Sequence, residues 1–474
     1  MPAPDRGRAA NRRPPQRRAT PPRRTPDLPR RVAFDLLAAI RERGAYANLT
    51  LPGLLDQADL ADRDAALATE LGYGTVRWQG TLDAILVRCL DRPLAKLDPP
   101  VLDVLRLGTY QILHTRIPGY AAVAATVNLA GSVVGEGPAR LVNAVLRKVN
   151  HRSFDAWIAE LAPPADQDPG EAAIARLAMR HAHPEWIVRA LANALGPDVA
   201  ELGDTLMANN ERPIVHLVAR DIGRDELASK VGGEPGPWSS YAVRIPAGAS
   251  PHSFAEIRDR RAGVQDEGSQ LMALALTHPP VAETGAAGWW LDLCAGPGGK
   301  AALLAVLAPE GVRILAADRA VHRARLVVQA TGGERVEVIA ADGLAPAWLA
   351  GFAERVLVDA PCSGLGALRR RPDARWRRTP QDVTDLVELQ RELLMAGLTA
   401  ARPGGLVAYV TCSPHPAETV EVVDWVLNRG GVRALDARVA LPSAMSGLGA
   451  GPYVQLWPHR HGTDAMFLAL LRVP

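Results

Sequence analysis

Residues 292–300 read DLCAGPGGK and connect a predicted buried strand to a predicted Ala/Leu-rich helix. Gly296, Gly298 and Gly299 allow the backbone to turn sharply and to approach a ligand without a Cβ clash. Their spacing matches neither GxGxxG nor GxxxxGK followed by Ser or Thr, the motifs that bind dinucleotide pyrophosphates and nucleoside triphosphates. The loop therefore predicts a cofactor site for a ligand that has no polyphosphate.

Predicted strands and helices alternate around this loop. The candidate strands cover residues 289–293, 312–317, 335–340, 354–358 and 406–411. Such alternation favours a parallel sheet with helices on both faces. Because ligands of these sheets bind beyond the carboxyl ends of the strands, the functional residues are expected directly after each strand.

Acidic residues end the second and third strands and support a nucleoside-like ligand. Asp318 lies 19 residues beyond Gly299, about where a carboxylate accepts hydrogen bonds from ribose hydroxyls. Asp342 ends the third strand in Ala-Asp-Gly. One Asp at such a place more often caps a helix or turn, but the recurrence of acidic or Gly-rich strand ends favours a ligand. S-adenosylmethionine fits best, because it carries ribose and adenine but no phosphate.

Two cysteines follow the fourth and fifth strands. Cys362 lies in DAPCSG, residues 359–364, and Cys412 in TCSPHP, residues 411–416. Both are expected at the sheet edge that carries the cofactor loop. A buried structural thiol is the usual alternative and suits Cys89, but it suits cysteines in Pro/Gly/Ser turns poorly. Cys294, inside the glycine loop, is expected to contribute packing or backbone rather than to act as a nucleophile.

A thiol beside a methyl donor indicates methylation at carbon of a pyrimidine. Cytosine C5 is a weak nucleophile, and a thiolate that adds at C6 turns the ring into an enamine-like species that can attack a methyl group. A carboxyl group that interacts with N3 or the exocyclic amine eases this addition. Asp359 precedes Cys362 by three residues and is the candidate. From the residues alone, either thiol could be the nucleophile.

Composition and charge exclude several classes of protein. The chain has 474 residues and a net charge of +3, which divides into +8 on residues 1–31 and −5 on the rest. No apolar stretch is long enough to span a membrane, and the N-terminus has no secretory h-region. Four cysteines without a CxxC pair make neither a disulfide framework nor a zinc site. A reduced, cytoplasmic protein without a bound metal is expected.

The chain divides into four predicted regions. Residues 1–30 are rich in Arg and Pro and are expected to be disordered, either as a polycationic arm for phosphates or as a solvated tail without a specific role. Residues 31–155 have helical periodicity and predict a small all-α bundle. A linker, residues 163–170, precedes a small α/β subdomain over 171–260. The sheet described above occupies 261–474.

The motifs resemble the RNA cytosine-C5 methyltransferases. The resemblance to that family rests on DLCAGPGGK (292–300), DAPCSG (359–364), TCSPHP (411–416), VQDEGSQL (264–271) and RRRPDARW (369–376). The N-terminal part is similar to the NusB-like domain of the RsmB/Sun branch, through segments 63–78, 105–113 and 139–150. The resemblance covers about residues 30 to 472. It implies an all-α NusB-like domain followed by an α/β Rossmann-like S-adenosylmethionine-dependent methyltransferase domain, with a small α/β RNA-binding subdomain.

The resemblance also implies residue roles. Cys412 is the nucleophile by this match, and Cys362 aids release of the product. Lys300 is expected near the cofactor carboxylate or the target base. The residues implied to bind the cofactor are Cys294, Ala295, Gly296, Pro297, Gly298, Gly299, Lys300, Asp318, Asp342 and Asp359.

This chain departs from the family pattern in three places. Gly296 stands where the family usually has Ala, Ala301 where it usually has Thr, and segment 461–467 lacks the common aromatic pair after Asp-Gly. The first two changes are small and should leave the loop intact. The third predicts a different wall near the active site. None of these departures involves Asp359 or the two candidate thiols.

The implied substrate is a cytidine of small-subunit (16S) rRNA, either free or in a pre-ribosomal particle, and the implied enzyme is a monomer. A base must leave its stack to meet the thiols, which favours loop cytidines. Six Arg and one Asp within residues 369–378 give +5 beside the Cys362 motif. This run, the arginine cluster, is interpreted as an RNA contact, with a solvated charged surface as the alternative.

Two other functions compete with this reading. One is a noncatalytic RNA-binding or ribosome assembly factor on a methyltransferase scaffold, against which both thiols and the loop glycines argue. The other is a small-molecule methyltransferase, which explains neither the NusB-like region nor the arginine cluster.

Overall fold

A computed structural model describes residues 27–163, 169–281, 288–333 and 335–474. The prediction of a disordered tail over 1–30 falls mostly on residues outside these ranges, as does most of the linker predicted over 163–170. Within the described ranges, no helix combines the length and the apolar composition that crossing a membrane requires.

The N-terminal region is a bundle of α-helices. Its helices are α1 (Leu28–Arg43), α2 (Ala47–Ala58), α3 (Asp62–Cys89), α4 (Pro99–His114), α5 (Gly119–Val133), α6 (Glu136–Val149) and α7 (Phe154–Leu161). Asp27 caps α1 by accepting a hydrogen bond from the Arg30 amide, and Gly44 ends that helix at a positive φ of 60°. The long helix α3 packs against α1 and α4, and Leu71, Leu86 and Leu105 are fully buried in the core that results.

The middle region combines short helices with a small antiparallel sheet. Its elements are α8 (Pro169–His181), α9 (Glu185–Leu195), α10 (Leu202–Ala208), β1 (His216–Ala219), α11 (Arg224–Val231), β2 (Glu234–Pro235), β3 (Ala242–Arg244), α12 (Ala255–Arg258) and β4 (Ala262–Val264). The strand order is β2-β3-β1-β4. The sheet extends past residue 260, where the sequence predicted its end, because β4 pairs with β1.

The C-terminal region is built on a large mixed sheet. Its elements are α13 (Glu267–Thr277), β5 (Trp289–Asp292), α14 (Gly299–Leu307), β6 (Arg313–Ala317), α15 (Val321–Thr331), β7 (Val336–Ile339), β8 (Ala353–Asp359), α16 (Ala374–Arg377), α17 (Pro380–Ala400), β9 (Ala401–Thr411), α18 (Val420–Leu427), β10 (Arg433–Leu435), β11 (Val454–Gln455), α19 (Pro458–His461) and β12 (Phe467–Arg472). The strand order is β10-β12-β9-β8-β5-β6-β7, and β11 pairs with β12.

The five strands predicted from the sequence are all present and run parallel, from β9 to β7. The three later strands are antiparallel additions at the β9 side. Helices α13, α14 and α15 cover one face of the sheet, and α17 and α18 cover the other. The carboxyl ends of β5, β6, β8 and β9 therefore meet at one edge, with the predicted site residues in the loops that follow.

Part of the arginine cluster lies in the joint between the C-terminal region and the helices that precede it. Arg375 is fully buried, and its guanidinium donates to the carbonyls of Ala182 and Asn209 and to Asn210 Oδ1. Trp376 Nε1 donates to the Val76 carbonyl at 2.7 Å, and Arg377 donates to the carbonyls of Gly44 and Ala45.

The interpretation of the whole cluster as an RNA contact is therefore wrong. Arg369 and Arg370 form ion pairs with Asp266 and Asp464, so their charges are also used within the protein. Of the six arginines in the cluster, only Arg371 is exposed. Backbone carbonyls and carboxylates bond to the other five, and many of these partners lie far away in the sequence. A count of charge within residues 369–378 cannot include such partners.

Candidate active site

The glycine loop holds its shape through close contacts with α15. Gly298 has a φ of 108° and precedes α14; a Cβ on it would lie 2.8 Å from the Val327 backbone. The Gly296 amide donates to Asp318 Oδ2 at 3.1 Å, and Arg323 donates to the Gly296 carbonyl. A Cβ at Gly296 would lie 2.5 Å from Asp318 Oδ2 and 2.7 Å from Arg323 Nε. Glycine at 296, where the resemblance implied Ala, therefore makes room for these two side chains.

The two predicted ribose-side carboxylates also make local capping bonds. Asp318 Oδ1 accepts from the Ala320 amide at 2.9 Å, at the start of α15. Asp342 Oδ1 accepts from the Leu344 amide at 3.0 Å, and its side chain is exposed. The bonds that the sequence offered as the alternative are thus present at both positions. Their roles toward a cofactor stay predictions.

Asp292, the last residue of β5, is a site residue that the sequence analysis did not single out. It is 1% exposed, and neither carboxylate oxygen has a hydrogen-bond partner among the described residues. Burial, reinforced by the negative charge of Asp359, raises the pKa of Asp292 to about 8. Its position at a strand end before the glycine loop was the signal available in the sequence.

An orphaned, buried carboxylate beside a glycine loop fits a cationic ligand. S-adenosylmethionine carries a sulfonium and an ammonium group, so its chemistry suits this donor set. Lys300, which follows the loop, is already paired: its Nζ donates to Asp359 Oδ2 at 2.7 Å. Burial disfavours the ammonium, but the charge and hydrogen bond of Asp359 outweigh it and raise the pKa of Lys300. The cofactor loop and the Cys362 loop are joined by this ion pair.

The two predicted thiols are in contact. Cys362 Sγ and Cys412 Sγ are 3.3 Å apart, and both side chains are partly exposed. Their mutual hydrogen bond and burial raise the pKa of Cys362 well above its ordinary value. The same bond lowers the pKa of Cys412 against the effect of burial, and the positive charge of Arg371 adds to the lowering. The arrangement favours a thiolate at Cys412 and a protonated thiol at Cys362.

The other two cysteines have different surroundings. Burial, reinforced by the charge of Asp292, raises the pKa of Cys294 far above the usual thiol range, so this side chain stays protonated. Cys89 lies in the core of the helical bundle. The remaining loop residues, Ala295 and Pro297, belong to the turn between β5 and α14, where the Ala295 amide donates to the Ala317 carbonyl at 2.9 Å.

Comparisons with known proteins agree with this geometry. The model of the 16S rRNA methyltransferase RsmB/F family matches residues 281–472, and the NusB family model matches residues 27–151. A crystal structure titled PH0851 superposes with a TM-score of 0.76 at 21% identity, covering 94% of this chain and 99% of that one. These matches confirm the predicted fold class of a NusB-like domain followed by a Rossmann-like methyltransferase domain.

Relatives with similar sequences align with this chain over nearly its whole length. The Mycobacterium tuberculosis protein Rv1407, whose name describes a methyltransferase, is 53% identical over 96% of this chain and 99% of its own length. The ribosomal RNA small subunit methyltransferase B of Pseudomonas syringae is 33% identical over 94% of this chain and 96% of its own length. The predicted cofactor, S-adenosylmethionine, is confirmed by these methyltransferase matches. The chain belongs to the RsmB/F family of 16S rRNA methyltransferases.

Proposed function

We propose that this rRNA methyltransferase methylates C5 of a cytidine in 16S rRNA through a covalent bond between Cys412 and C6. The observation that carries the proposal is the contact between the two thiols, 3.3 Å apart at the edge of the sheet that also carries the cofactor loop. A polarised thiol pair is what addition to C6 and later elimination require. The proposal extends the family assignment to the atom that is modified and to the residues that act.

In the proposed reaction, Cys412 Sγ adds to C6 of the flipped cytosine. Asp359, oriented by Lys300, faces the polar edge of the base and stabilises the charge that develops there. S-adenosylmethionine, when bound, supplies the electrophilic methyl group, and Asp292, Asp318 and Asp342 with the 294–300 loop hold the cofactor. Loss of the C5 proton to water then restores the C5–C6 double bond and expels Cys412 as a thiolate. The Cys362 thiol donates a hydrogen bond to the departing sulfur and thereby aids release.

The substrate side of the proposal rests on the two family matches. The NusB-like bundle is fastened to the segment that follows Cys362, so a helical RNA-binding unit stands in fixed relation to the thiols. We infer that the protein acts as a monomer in the cytoplasm, on rRNA that is either free or part of a pre-ribosomal particle. Arg371, exposed beside Cys412, is the member of the arginine cluster that remains available to a phosphate.

The proposal is tested with three alanine variants and bisulfite mapping of 16S rRNA. Cys412→Ala should abolish methylation, and Cys362→Ala should accumulate an RNA adduct that survives denaturation. Cys89→Ala, in the helical core, is the matched control and should retain turnover. Full activity of Cys412→Ala would refute the nucleophile. A protein that binds no S-adenosylmethionine in calorimetry would instead be the noncatalytic assembly factor.

A further inference from the structure

Glu418 is a buried carboxylate that lies behind both thiol loops. It ends the short 3₁₀ turn Pro416–Glu418, between β9 and α18, and is fully buried. The established family does not by itself explain why a charged side chain is placed here. A buried carboxylate is tolerated when several donors compensate its lost hydration.

Four donors surround the Glu418 carboxylate, and three of them come from residues adjacent to the cysteines. Oε1 accepts from the Ser363 amide at 2.7 Å, and Oε2 accepts from the hydroxyls of Ser363 and Ser413. The fourth donor is Gln390 Nε2 at 3.1 Å. Ser363 follows Cys362 and Ser413 follows Cys412, so one carboxylate ties the two thiol loops together.

Glu418 is itself held through its side chain and through its backbone. Gln390, on α17, also donates to the Pro361 carbonyl at 2.9 Å, which fixes the residue before Cys362. Tyr409, on β9, donates its hydroxyl to the Glu418 carbonyl at 2.8 Å. Glu418 is thus a rigid bridge between two strands' ends rather than a side chain free to reorient.

We propose that Glu418 is a positioning residue for the reaction, whose carboxylate holds the Cys362 and Cys412 loops in register so that the two sulfurs stay in contact. This inference rests on the proposed function, because it concerns the thiols assigned there. The negative charge of Glu418 lies on the Cys362 side of the thiol pair and contributes to keeping the Cys362 thiol protonated. The charge therefore helps Cys362 to donate to Cys412 rather than the reverse.

The test is the pH profile of each thiol in the full-length protein without RNA. Wild type and Glu418→Gln are treated with iodoacetamide over a pH series, and mass spectrometry reports the alkylation rate of each cysteine. The amide of Gln keeps the shape of the carboxylate but removes its charge. Its NH₂ group also donates hydrogen bonds, although the groups that surround position 418 are themselves donors. We expect the Cys412 profile to move up by about one pH unit, which slows its alkylation about tenfold at pH 7. Methylation should fall at least as far, with KM for RNA unchanged.

Two further variants separate positioning from mere stability. Glu421→Gln, an exposed acid three residues along the chain, is the matched control and should leave both profiles unchanged. Ser413→Ala removes one of the four donors and should move the Cys412 profile in the same direction by a smaller amount, which provides a second reading where Glu418→Gln folds poorly.

A Glu418→Gln protein that unfolds at lower temperature but keeps both wild-type thiol profiles would overturn the inference. The same holds if Ser413→Ala and Glu418→Gln both retain normal profiles and turnover. Failure of the proposed function has a different signature: Cys412→Ala would then still methylate, whereas the alkylation profiles would respond to Glu418 as before.

Discussion

Replacement of Asp292 by Asn should stabilise the cofactor-free protein at alkaline pH while weakening cofactor binding. The buried carboxylate has a pKa of about 8 in the folded state against 3.8 for an ordinary Asp. Because the pKa of Asp292 is higher in the folded state than in the unfolded state, the folded protein keeps a proton between about pH 4 and pH 8 that the unfolded protein has lost. Stability is therefore lost progressively as pH rises from about 4 to about 8.

The magnitude follows from the size of the shift. Four pKa units correspond to an upper limit of ~6 kcal/mol at about 1.4 kcal/mol per unit, a large share of a typical stability of about 5–15 kcal/mol. Asn carries no charge but leaves a buried amide, which costs about 1–3 kcal/mol. The cost of the amide is the same at both pH values and cancels in the comparison, so the three pH units between pH 5 and pH 8 limit the gain to ~4 kcal/mol. We therefore expect Asp292→Asn to gain about 2–4 kcal/mol over wild type at pH 8 relative to their difference at pH 5.

The assay is thermal unfolding of both proteins at pH 5 and pH 8, followed by calorimetric titration with S-adenosylmethionine. Affinity for the cationic cofactor should fall about 10- to 100-fold in the variant, which corresponds to about 1.4–2.7 kcal/mol. Glu310→Gln, at an exposed acid after α14, is the control and should change neither quantity. A variant that gains no stability between pH 5 and pH 8, or that binds the cofactor as tightly as wild type, would refute the reasoning.

Three further perturbations have definite outcomes. Lys300→Met leaves Asp359 without its ion-pair partner and should lower stability by about 2 kcal/mol and turnover about 100-fold, measured by chemical denaturation and methyl transfer; turnover within a few-fold of wild type would contradict the role given to the pair. Arg371→Ala removes a charge that lowers the pKa of Cys412, so the alkylation profile of Cys412 should shift to higher pH, whereas Arg325→Ala on the exposed side of α15 should not shift it. Gly80→Ala places a Cβ 2.3 Å from the Trp376 ring and should destabilise the protein by about 1–3 kcal/mol, whereas Gly53→Ala, with open space around it, should be neutral or stabilising by up to about 1 kcal/mol in the same melting experiment.

The parallel core of the sheet was predictable because its strands are buried on both faces. Val356, Leu357 and Val358 in β8 are all fully buried, and such continuous apolar runs bounded by Gly or Asp are visible in the sequence. The short strands were not predictable in this way. Strand β10 has three residues and β11 has two, and both exist only because β12 returns from the end of the chain to pair beside β9.

The site was predictable in its residues but not in its contacts. Motif spacing placed Cys362 and Cys412 at neighbouring strand ends, and the structure brings their sulfurs together. The Lys300–Asp359 ion pair joins residues 59 positions apart. The sequence around either residue does not indicate whether Lys300 pairs with Asp359 or contacts the cofactor or the base. Which of the two thiols holds the proton depends on the hydrogen bond between them and on the charge of Arg371. Only folding brings these groups together.

The joint made by Arg375, Trp376 and Arg377 uses mainly backbone acceptors, with Asn210 Oδ1 as the side-chain exception. Their partners in the bundle and at the end of α8 include the carbonyls of Ala45, Val76 and Ala182, which any residue type supplies. Mutational drift on the acceptor side therefore leaves the hydrogen bonds intact so long as the backbone trace is kept. A helical domain with a different outer surface could therefore dock on the same segment, provided that the backbone trace and the space at Gly80 are kept.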